Sequence, residues 1–334
     1  MDIDPRIRNL SYSSLLTLHS CPREFQLYKL GADSEGLIIE EDEDSDQSIT
    51  FAYGHAVGNG VQYALQGMSH NEIIWKLFLE WACDLAAEDA KRQKSFYGAL
   101  IAIKQFNVIR ETPLLRDYEL VIYNGVPACE LSFVIHLPDG FRFRGFVDAV
   151  LRHKTTGEIL VLECKTTAAQ AVHPAQYRNS AQAIGYSIVL DVIFPELSSY
   201  KVLYLPYLTK AREFQPILFE KSYYQRALWI QELLLDMEMI KLYESHGVYP
   251  MHGESCYRFF RECRYLNNCT LSTSLLTSEL TPEMLEKIEQ EISEFQIHVT
   301  LLDLIEAQEK KAEQMPVHAT ASVLHDELTL DDLV

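Results

Sequence analysis

The segment LVLECKTT (residues 160–167) sets two charged side chains, Glu163 and Lys165, into an apolar run. Because side chains alternate along a strand, residues two apart share a face. Glu163 and Lys165 therefore point one way, and Cys164 points the other way, where a small apolar side chain packs well. An ion pair at a strand end is the ordinary explanation of an isolated Glu-x-Lys. The alternative is one half of a metal-dependent active site.

Asp148, which alone would be interpreted as a turn cap, interrupts a second apolar run, FRGFVDAVL (143–151). A hairpin through HKTTGEI (153–159) places Asp148 across from Glu163. Two close carboxylates repel each other unless one is protonated or a cation lies between them, and a divalent ion with oxygen ligands, Mg²⁺ or Mn²⁺, meets that requirement. The ion would polarise a phosphodiester and activate a water, with Lys165 orienting that water or stabilising the developing charge.

A helix predicted over residues 175–193 carries Gln182 and Tyr186, which are four residues apart and so lie on one face. Directly after a catalytic strand, this pair is placed to contact the DNA backbone or a base. Taken alone, Q-x-x-x-Y is a common pattern and has little diagnostic value.

Together the segments GFVD, LECKTT and QAIGY resemble the PD-(D/E)xK nuclease superfamily, and specifically its RecB/Cas4-like branch, which includes phage exonucleases. The resemblance implies a metal-dependent DNA exonuclease of DNA recombination, repair or phage genome processing. It also implies roles for five residues. The catalytic residues are Asp148, Glu163 and Lys165, the first two also bind Mg²⁺ or Mn²⁺, and Gln182 and Tyr186 position DNA.

Two further metal ligands are suggested by the same resemblance. Glu130 in ACELSFVI matches an acidic residue often found before the Asp strand, and its alternative is an exposed strand residue. The branch usually carries a histidine ligand in an N-terminal helix, but the matching position in YGHAVGNG is Gly58. His55 lies three residues earlier, roughly on the same helix face. Either His55 reaches the metal or the histidine is lost and water replaces it.

Four cysteines suggest a second metal centre. Cys256, Cys263 and Cys269 lie close together in the sequence, and Cys21 lies near the N-terminus. Three clustered thiols need a fourth ligand for a tetrahedral site. The resemblance implies a [4Fe–4S] cluster on these four, although the first interval of the C-terminal trio is longer than the branch's usual one. Zinc in the same site and buried free thiols are the alternatives.

Basic and aromatic side chains alternate around the cysteine trio. They are suited to phosphate pairing and base stacking, and shielding of the metal centre is the alternative for the aromatics. The residues are Arg258, Arg261, Arg264, Tyr257, Phe259, Phe260 and Tyr265.

The periodicity of apolar residues predicts an α/β fold. The predicted helices are 11–30, 51–66, 71–108, 175–193, 220–246 and 281–313, and the predicted strands lie in 118–137, 141–153, 158–166 and 200–208. Helices that cover a central mixed sheet match the restriction-endonuclease-like core implied by the resemblance. No G-x-G-x-x-G follows a strand, which argues against a dinucleotide fold.

Five regions are predicted along the chain. They are an N-terminal helical region with Cys21 and an acidic loop (1–115), the nuclease core (116–248), a cysteine loop (249–275), a C-terminal helix (276–313) and a flexible acidic tail (314–334). The tail alternates acids with leucines. It is hypothesised to dock a recombinase, an annealing protein or a helicase.

Composition limits the class of protein. The 334 residues are 48% hydrophobic and 23% charged, with no apolar run of membrane-spanning length and no apolar N-terminal segment, so a cytoplasmic protein is expected (the host cytoplasm if phage-encoded). The net charge of −19 argues against nucleic acid at first sight. Residues 141–180, however, hold six bases against three acids, so a locally basic groove is compatible with the total.

Two function classes follow. The first is a Mg²⁺- or Mn²⁺-dependent deoxyribonuclease acting on single-stranded DNA or duplex ends, with an exonuclease favoured over an endonuclease and a homo-oligomer allowed. The second is a catalytically weak nucleic-acid-binding or scaffold subunit, stabilised by the four-cysteine site. The altered histidine position supports the second class, and the joint presence of Asp148, Glu163, Lys165, Gln182 and Tyr186 supports the first.

Overall fold

The computed structural model describes residues 3–32, 49–81, 83, 93–178, 180–195, 200–258 and 261–313. The acidic stretch 34–46 and the tail 314–334 lie outside the described residues. The helices are α1 (Pro5–Arg8), α2 (Tyr12–Ser20), α3 (Pro22–Lys29), α4 (Ile49–Leu65), α5 (His70–Glu80), α6 (Phe96–Arg110), α7 (Ala175–Arg178), α8 (Ala181–Ile193), α9 (Tyr223–His246), α10 (Thr273–Leu276), α11 (Pro282–Ser293) and α12 (Leu301–Glu313). In that described part, no helix has the length and apolarity to cross a membrane.

Within the same residues, nine strands form one mixed sheet. The strands of the chain are β1 (Asn9–Ser11), β2 (Tyr118–Leu120), β3 (Ile122–Tyr123), β4 (Val126–Pro127), β5 (Cys129–His136), β6 (Arg142–His153), β7 (Ile159–Thr167), β8 (Tyr200–Leu208), β9 (Glu213–Phe214), β10 (Ile217–Glu220), β11 (Tyr257–Arg258), β12 (Arg261–Glu262) and β13 (Ile297–Thr300). The main order is β10-β8-β7-β6-β5-β13, while β1 and β2 pair with β6, and β9 pairs with β8. β5, β6 and β7 are antiparallel neighbours, whereas β7 and β8 run parallel.

Helices cover both faces of the sheet. On β7, Ile159 and Val161 join a core formed with α8, α9 and α12, whereas Leu160 and Leu162 join a core formed with α4, α5 and α6. A strand that is apolar on both faces must be buried on both. The predicted α/β fold, a central mixed sheet flanked by helices, is confirmed.

The helix predicted over residues 11–30 is two helices. Cys21 has an extended backbone (φ −157°, ψ 104°), and Pro22 is the first residue of α3. The residue before a proline is excluded from the helical region by the proline ring, so α2 must end here. The break leaves Cys21 at a junction between two helices instead of on a helix face.

The strand segment 118–137 contains a hairpin that the apolar pattern alone did not predict. Asn124 and Gly125 both have positive φ, 49° and 82°, between β3 and β4. Two successive residues with positive φ make the type I′ turn that matches the twist of paired strands, and Asn-Gly is its preferred sequence. This small hairpin precedes β5 and is not part of the main sheet.

The predicted C-terminal helix 281–313 is interrupted by a strand. β13 separates α11 from α12 and pairs in parallel with β5, so it extends the sheet at that edge. A helical period misses this element because β13 is only four residues long. Residues 282–313 are therefore an integral layer of the fold.

Helix α12 is joined to the core by a buried ionic cluster around Asp191 of α8. The Asp191 carboxylate pairs with Lys311 at 2.8 Å and with Arg226 of α9 at 3.2 Å, and it accepts a hydrogen bond from Gln308 at 2.7 Å. All four side chains are buried. The cluster links three helices at a place where an unpaired charge would be costly.

Candidate active site

Three carboxylates lie side by side on three adjacent strands. The register pairs Cys129 with Ala149, Leu131 with Val147, and Ala149 with Leu162. Counting from these pairs, Glu130 of β5 and Glu163 of β7 flank Asp148 of β6 at one level of the sheet. The prediction that Asp148 lies across from Glu163 agrees with this register.

The strands are irregular at that level. Glu130 has a positive φ of 48°, and Val147 and Val150 of β6 reach the same core although they are three residues apart. The regular alternation of side chains between the two faces of the sheet is therefore lost beside Asp148. The backbone N–H of Cys164 donates to Asp148 Oδ2 at 2.8 Å. The ladder between β6 and β7 thus ends where a carboxylate takes over a backbone hydrogen bond.

Glu163 is fully buried, with 0% of its side chain exposed, and Lys165 Nζ lies 2.5 Å from its Oε1. Its second oxygen, Oε2, has no hydrogen-bond partner among the described residues. Burial raises the pKa of Glu163, and the Lys165 charge opposes that rise. Burial lowers the pKa of Lys165, but the Glu163 and Asp148 carboxylates outweigh burial and raise it. Lys165 is therefore held as a cation between two carboxylates.

The pKa of Asp148 is raised well above its ordinary value, first by burial and then by the neighbouring Glu163 charge. Glu130 raises the pKa of both carboxyls further. Adjacent carboxylates with an unpartnered buried oxygen are suited to bind a hard divalent cation. Carboxylate oxygens suit Mg²⁺ or Mn²⁺, so Asp148 and Glu163, with Glu130 at the same level of the sheet, fit such an ion by their chemistry. In the part of the chain that the structure describes, however, no three His, Cys, Asp or Glu side chains lie close enough together to form a ready metal site.

Gln182 and Tyr186 of α8 meet each other at the same cleft. Gln182 Nε2 donates to the Tyr186 hydroxyl at 2.5 Å. The Tyr186 ring packs edge-on against Phe133 of β5, with ring centroids 6.0 Å apart. Burial, followed by the charge of Glu163, raises the pKa of Tyr186. The tyrosine is therefore a neutral group that faces the carboxylates.

A cleft of about 970 Å³ opens beside these residues. Its lining includes Asp148, Lys165, Gln182, Tyr186, Tyr28 and Phe146. Tyr28 is 53% exposed and Phe146 is 48% exposed, so the cleft presents two partly exposed aromatic side chains, of which Phe146 also packs against Phe295 with ring centroids 5.4 Å apart. Arg144 also lines it but is paired with Glu291 of α11 at 3.2 Å.

Helix α4 passes the site with three residues at four-residue intervals. A Cβ added to Gly54 would lie 3.7 Å from Thr166 Oγ1 at the end of β7, and one added to Gly58 would meet nothing within 4 Å among the described residues. Gln62 donates to Glu130 at 2.6 Å. His55 is exposed and is not in the cleft lining. Gln62 was not predicted from the sequence, although its spacing from Gly58 was a usable signal.

The four predicted cluster cysteines line one small cavity. Cys21 comes from the α2–α3 junction, and Cys256, Cys263 and Cys269 come from the loop around the β11–β12 hairpin. The cavity has a volume of about 20 Å³, close to that of one water. Burial raises the pKa of Cys263, with Cys21 and Cys256 among the neighbours that raise it. Four thiols from two distant segments are a donor set that zinc and iron–sulfur centres share.

The described basic and aromatic side chains around this cavity divide between packing and exposure. Arg258 pairs with Glu24 at 2.8 Å, and the Arg264 guanidinium lies 5.3 Å from the Tyr265 ring centre. Tyr265 is buried and lines the cavity, whereas Tyr257 is 62% exposed and is not in its lining. Phe259 and Phe260 lie outside the described residues.

The family model of the PD-(D/E)XK nuclease superfamily matches residues 9–270. The match runs from β1 to the last cavity cysteine and covers more than half of the chain. The protein belongs to the PD-(D/E)XK nuclease superfamily, and its sheet and flanking helices are those of a restriction-endonuclease-like fold. Membership implies a nuclease that hydrolyses phosphodiesters with a metal ion. No curated protein matches the chain.

Proposed function

We propose that the protein is a Mg²⁺- or Mn²⁺-dependent DNA exonuclease of the RecB/Cas4-like type, acting in recombination, repair or phage genome processing. One observation carries the proposal. Glu130, Asp148 and Glu163 lie at one level of three adjacent strands, and Lys165 contacts the buried Glu163 at the edge of a large cleft. A purely structural ion pair does not need two more carboxylates beside it.

Each residue has a role in this proposal. Asp148 and Glu163, with Glu130 beside them, hold the metal ion, which when bound supplies Lewis-acid polarisation of the phosphate. Lys165 places its ammonium between Glu163 and the cleft, where negative charge develops on the reacting phosphate. The Tyr186 hydroxyl and the Gln182 amide lie on the same side of the cleft, and they are suited to orient a phosphate oxygen or a base edge.

The cleft favours DNA ends with unpaired bases. Tyr28 and Phe146 expose aromatic faces within it, and base–aromatic stacking requires a base that is not stacked within a duplex. Arg144, which lines the cleft, is engaged by Glu291. Stacking is therefore expected to contribute more than phosphate pairing, which supports an exonuclease over an endonuclease.

We further propose that Cys21, Cys256, Cys263 and Cys269 hold one metal centre. The resemblance favours a [4Fe–4S] cluster, and a zinc ion held by the same four thiols is the alternative. Absorbance near 400 nm and metal analysis of anaerobically purified protein distinguish the two. An absence of both iron and zinc would contradict the proposal.

The test of the nuclease proposal is Lys165→Ala. Turnover of labelled single-stranded and duplex DNA with Mg²⁺ or Mn²⁺ is expected to fall by at least about 100-fold, because the cation beside the reacting phosphate is lost. Lys201→Ala is the matched control, since Lys201 of β8 pairs with the carboxylate of Glu158 at 2.8 Å away from the cleft. Asp148→Asn is the second active-site variant, in case loss of Lys165 alters folding.

The alternative is a non-catalytic DNA-binding or scaffold subunit, favoured by the open space at Gly58 where the resemblance leads one to expect a histidine. It predicts that DNA binds but is not cut with either metal. Full activity of both Lys165→Ala and Asp148→Asn would refute the assigned site.

The acidic tail remains a proposed docking peptide for a recombinase, an annealing protein or a helicase, and it lies outside the described residues. Deletion of residues 325–334 tests this hypothesis in a pull-down. Unchanged recovery of partners would contradict it.

A further inference from the structure

Gln62 is a buried polar residue that makes a specific contact with the site. Its side chain is 7% exposed, and its amide Nε2 donates to Glu130 Oε1 at 2.6 Å. The contact joins α4 to β5, and Gln62 and Glu130 are 68 residues apart in the chain. A buried amide that donates to a carboxylate forms one of the stronger classes of hydrogen bond.

Glu130 requires such a restraint. Its φ of 48° is a left-handed backbone conformation, which costs a residue other than glycine on the order of 1–3 kcal/mol. The residue is also exposed, so its side chain would otherwise sample solvent. A strained backbone is retained when it gives a side chain a direction that a regular strand cannot give. Here that direction is towards Gln62, at the level of Asp148 and Glu163.

Residues along one face of helix α4 provide this restraint. Gly54 lies against Thr166 at the end of β7, and Gln62 lies against Glu130 of β5. Because residues four apart share a helix face, the line Gly54–Gly58–Gln62 spans the row of carboxylates. Gly58, in the middle, leaves open space for solvent or a phosphate.

We propose that Gln62 is a positioning residue for the metal site: it holds Glu130 at the level of Asp148 and Glu163 on the neighbouring strands, where its carboxylate can join theirs as a ligand when a divalent ion binds. The proposal rests on the proposed nuclease function. It assigns the contribution of α4 to an amide that acts through Glu130, while Gly58 and the exposed His55 are not ligands.

The test is binding of Mn²⁺ to the full chain without DNA, followed by electron paramagnetic resonance. Gln62→Leu keeps the size of the side chain and removes the donor, and it is expected to weaken Mn²⁺ binding by about 10-fold or more, as loss of a hydrogen bond to a ligand commonly does. Asn59→Ala is the matched control, because Asn59 of the same helix donates to the exposed Glu80 at 3.1 Å. It should bind Mn²⁺ like the unmodified protein.

The decisive arm is the double variant Gln62→Leu with Glu130→Ala. If Gln62 acts through Glu130, the double variant binds Mn²⁺ no more weakly than Glu130→Ala alone. An additional loss in the double variant, or unchanged binding in Gln62→Leu, would overturn the inference.

Asp148→Asn separates this inference from the proposed function. Loss of Mn²⁺ binding in Asp148→Asn together with normal binding in Gln62→Leu rejects the role of Gln62 alone. Normal Mn²⁺ binding in Asp148→Asn rejects the metal site, and both proposals fail with it.

Discussion

Glu163 and Lys165 form the ion pair that the strand pattern allows, but the surroundings of Glu163 differ from those of an ordinary surface pair. Its carboxylate is fully buried, and Oε2 has no hydrogen-bond partner among the described residues. A buried ion pair is stable only when its remaining polar atoms are satisfied. Burial therefore makes a divalent cation the natural additional partner. Cys164 packs with the core of α4 and α6 on the opposite face, as predicted.

At the same scale, the two exposed cleft aromatics lead to a binding prediction. Tyr28→Ala and Phe146→Ala should each weaken single-stranded DNA binding by about 5- to 100-fold, since stacking is worth about 1–3 kcal/mol per base. Fluorescence anisotropy with Ca²⁺ in place of the catalytic metal measures the change. Tyr97→Ala, at an exposed site on α6, is the control. Equal losses in all three variants would mean that the cleft is not the binding surface.

At the scale of elements, α12 is held to the core by the buried cluster around Asp191, so removal of that carboxylate should be costly. Asp191→Ala removes the buried carboxylate that pairs with Arg226 and Lys311, and it is expected to lower the free energy of unfolding by about 3–5 kcal/mol. Denaturant titration measures the loss. Glu306→Ala is matched, because Glu306 pairs with Lys310 on the exposed face of α12 at 3.8 Å, and it should cost less than about 1 kcal/mol.

Helices α2 and α9 are joined by a contact that depends on pH. His19 Nε2 lies 2.7 Å from Asp236 Oδ1, and this hydrogen bond raises the pKa of His19 above 6.5. Because the folded state binds the proton more tightly, the contribution to stability is full below pH about 6.5 and is lost as pH rises through the raised pKa. The difference in unfolding midpoint between the unmodified protein and His19→Gln should therefore shrink with rising pH. A difference that grows with pH would exclude this contact as its source.

At the scale of the whole molecule, the pairing of charges limits how basic the cleft can be in a protein with net charge −19. Two acids of α11 pair with two bases of β6, in Arg142–Glu289 and Arg144–Glu291. Two of the six bases of residues 141–180 are thus neutralised by this helix. The expected basic groove is smaller than the sequence suggests, and the proposed DNA contacts depend on the cleft aromatics and Lys165.

The cysteine cavity is lined by residues near both ends of the family-matched region. Loss of a metal ion or cluster bound there should therefore destabilise the whole molecule. The proposed metal centre, by linking Cys21 to Cys256, would close a loop of more than 200 residues, worth on the order of 5 kcal/mol in the crosslink model. Cys21→Ser should lose the bound metal and lower the melting temperature. Cys83→Ser changes a thiol that is not in the cavity lining and should do neither. Metal analysis with thermal unfolding measures both, and an unchanged metal content in Cys21→Ser would contradict the assignment.

The sequence by itself predicted the fold class, which is confirmed, and it singled out Asp148, Glu163, Gln182 and Tyr186 as candidate site residues. Period-two runs on both sides of a short turn require adjacent strands, so Asp148 and Glu163 had to meet, and Gln182 and Tyr186 had to share a helix face. These relations depend only on local geometry. The break at Cys21 was also readable in principle, because Pro22 excludes a helical residue before it.

The tertiary structure decided what depends on distant contacts. The hydrogen bond of Gln62 to Glu130, the pairing of β13 with β5 and the hydrogen bond of Gln308 to Asp191 each join residues more than 60 positions apart. No local period encodes such a contact, because its free energy comes from burial that exists only after the helices cover the sheet. For the same reason, the segment LVLECKTT predicts the type of chemistry, whereas the tertiary structure determines that Glu163 is buried and that Lys165 faces the cleft.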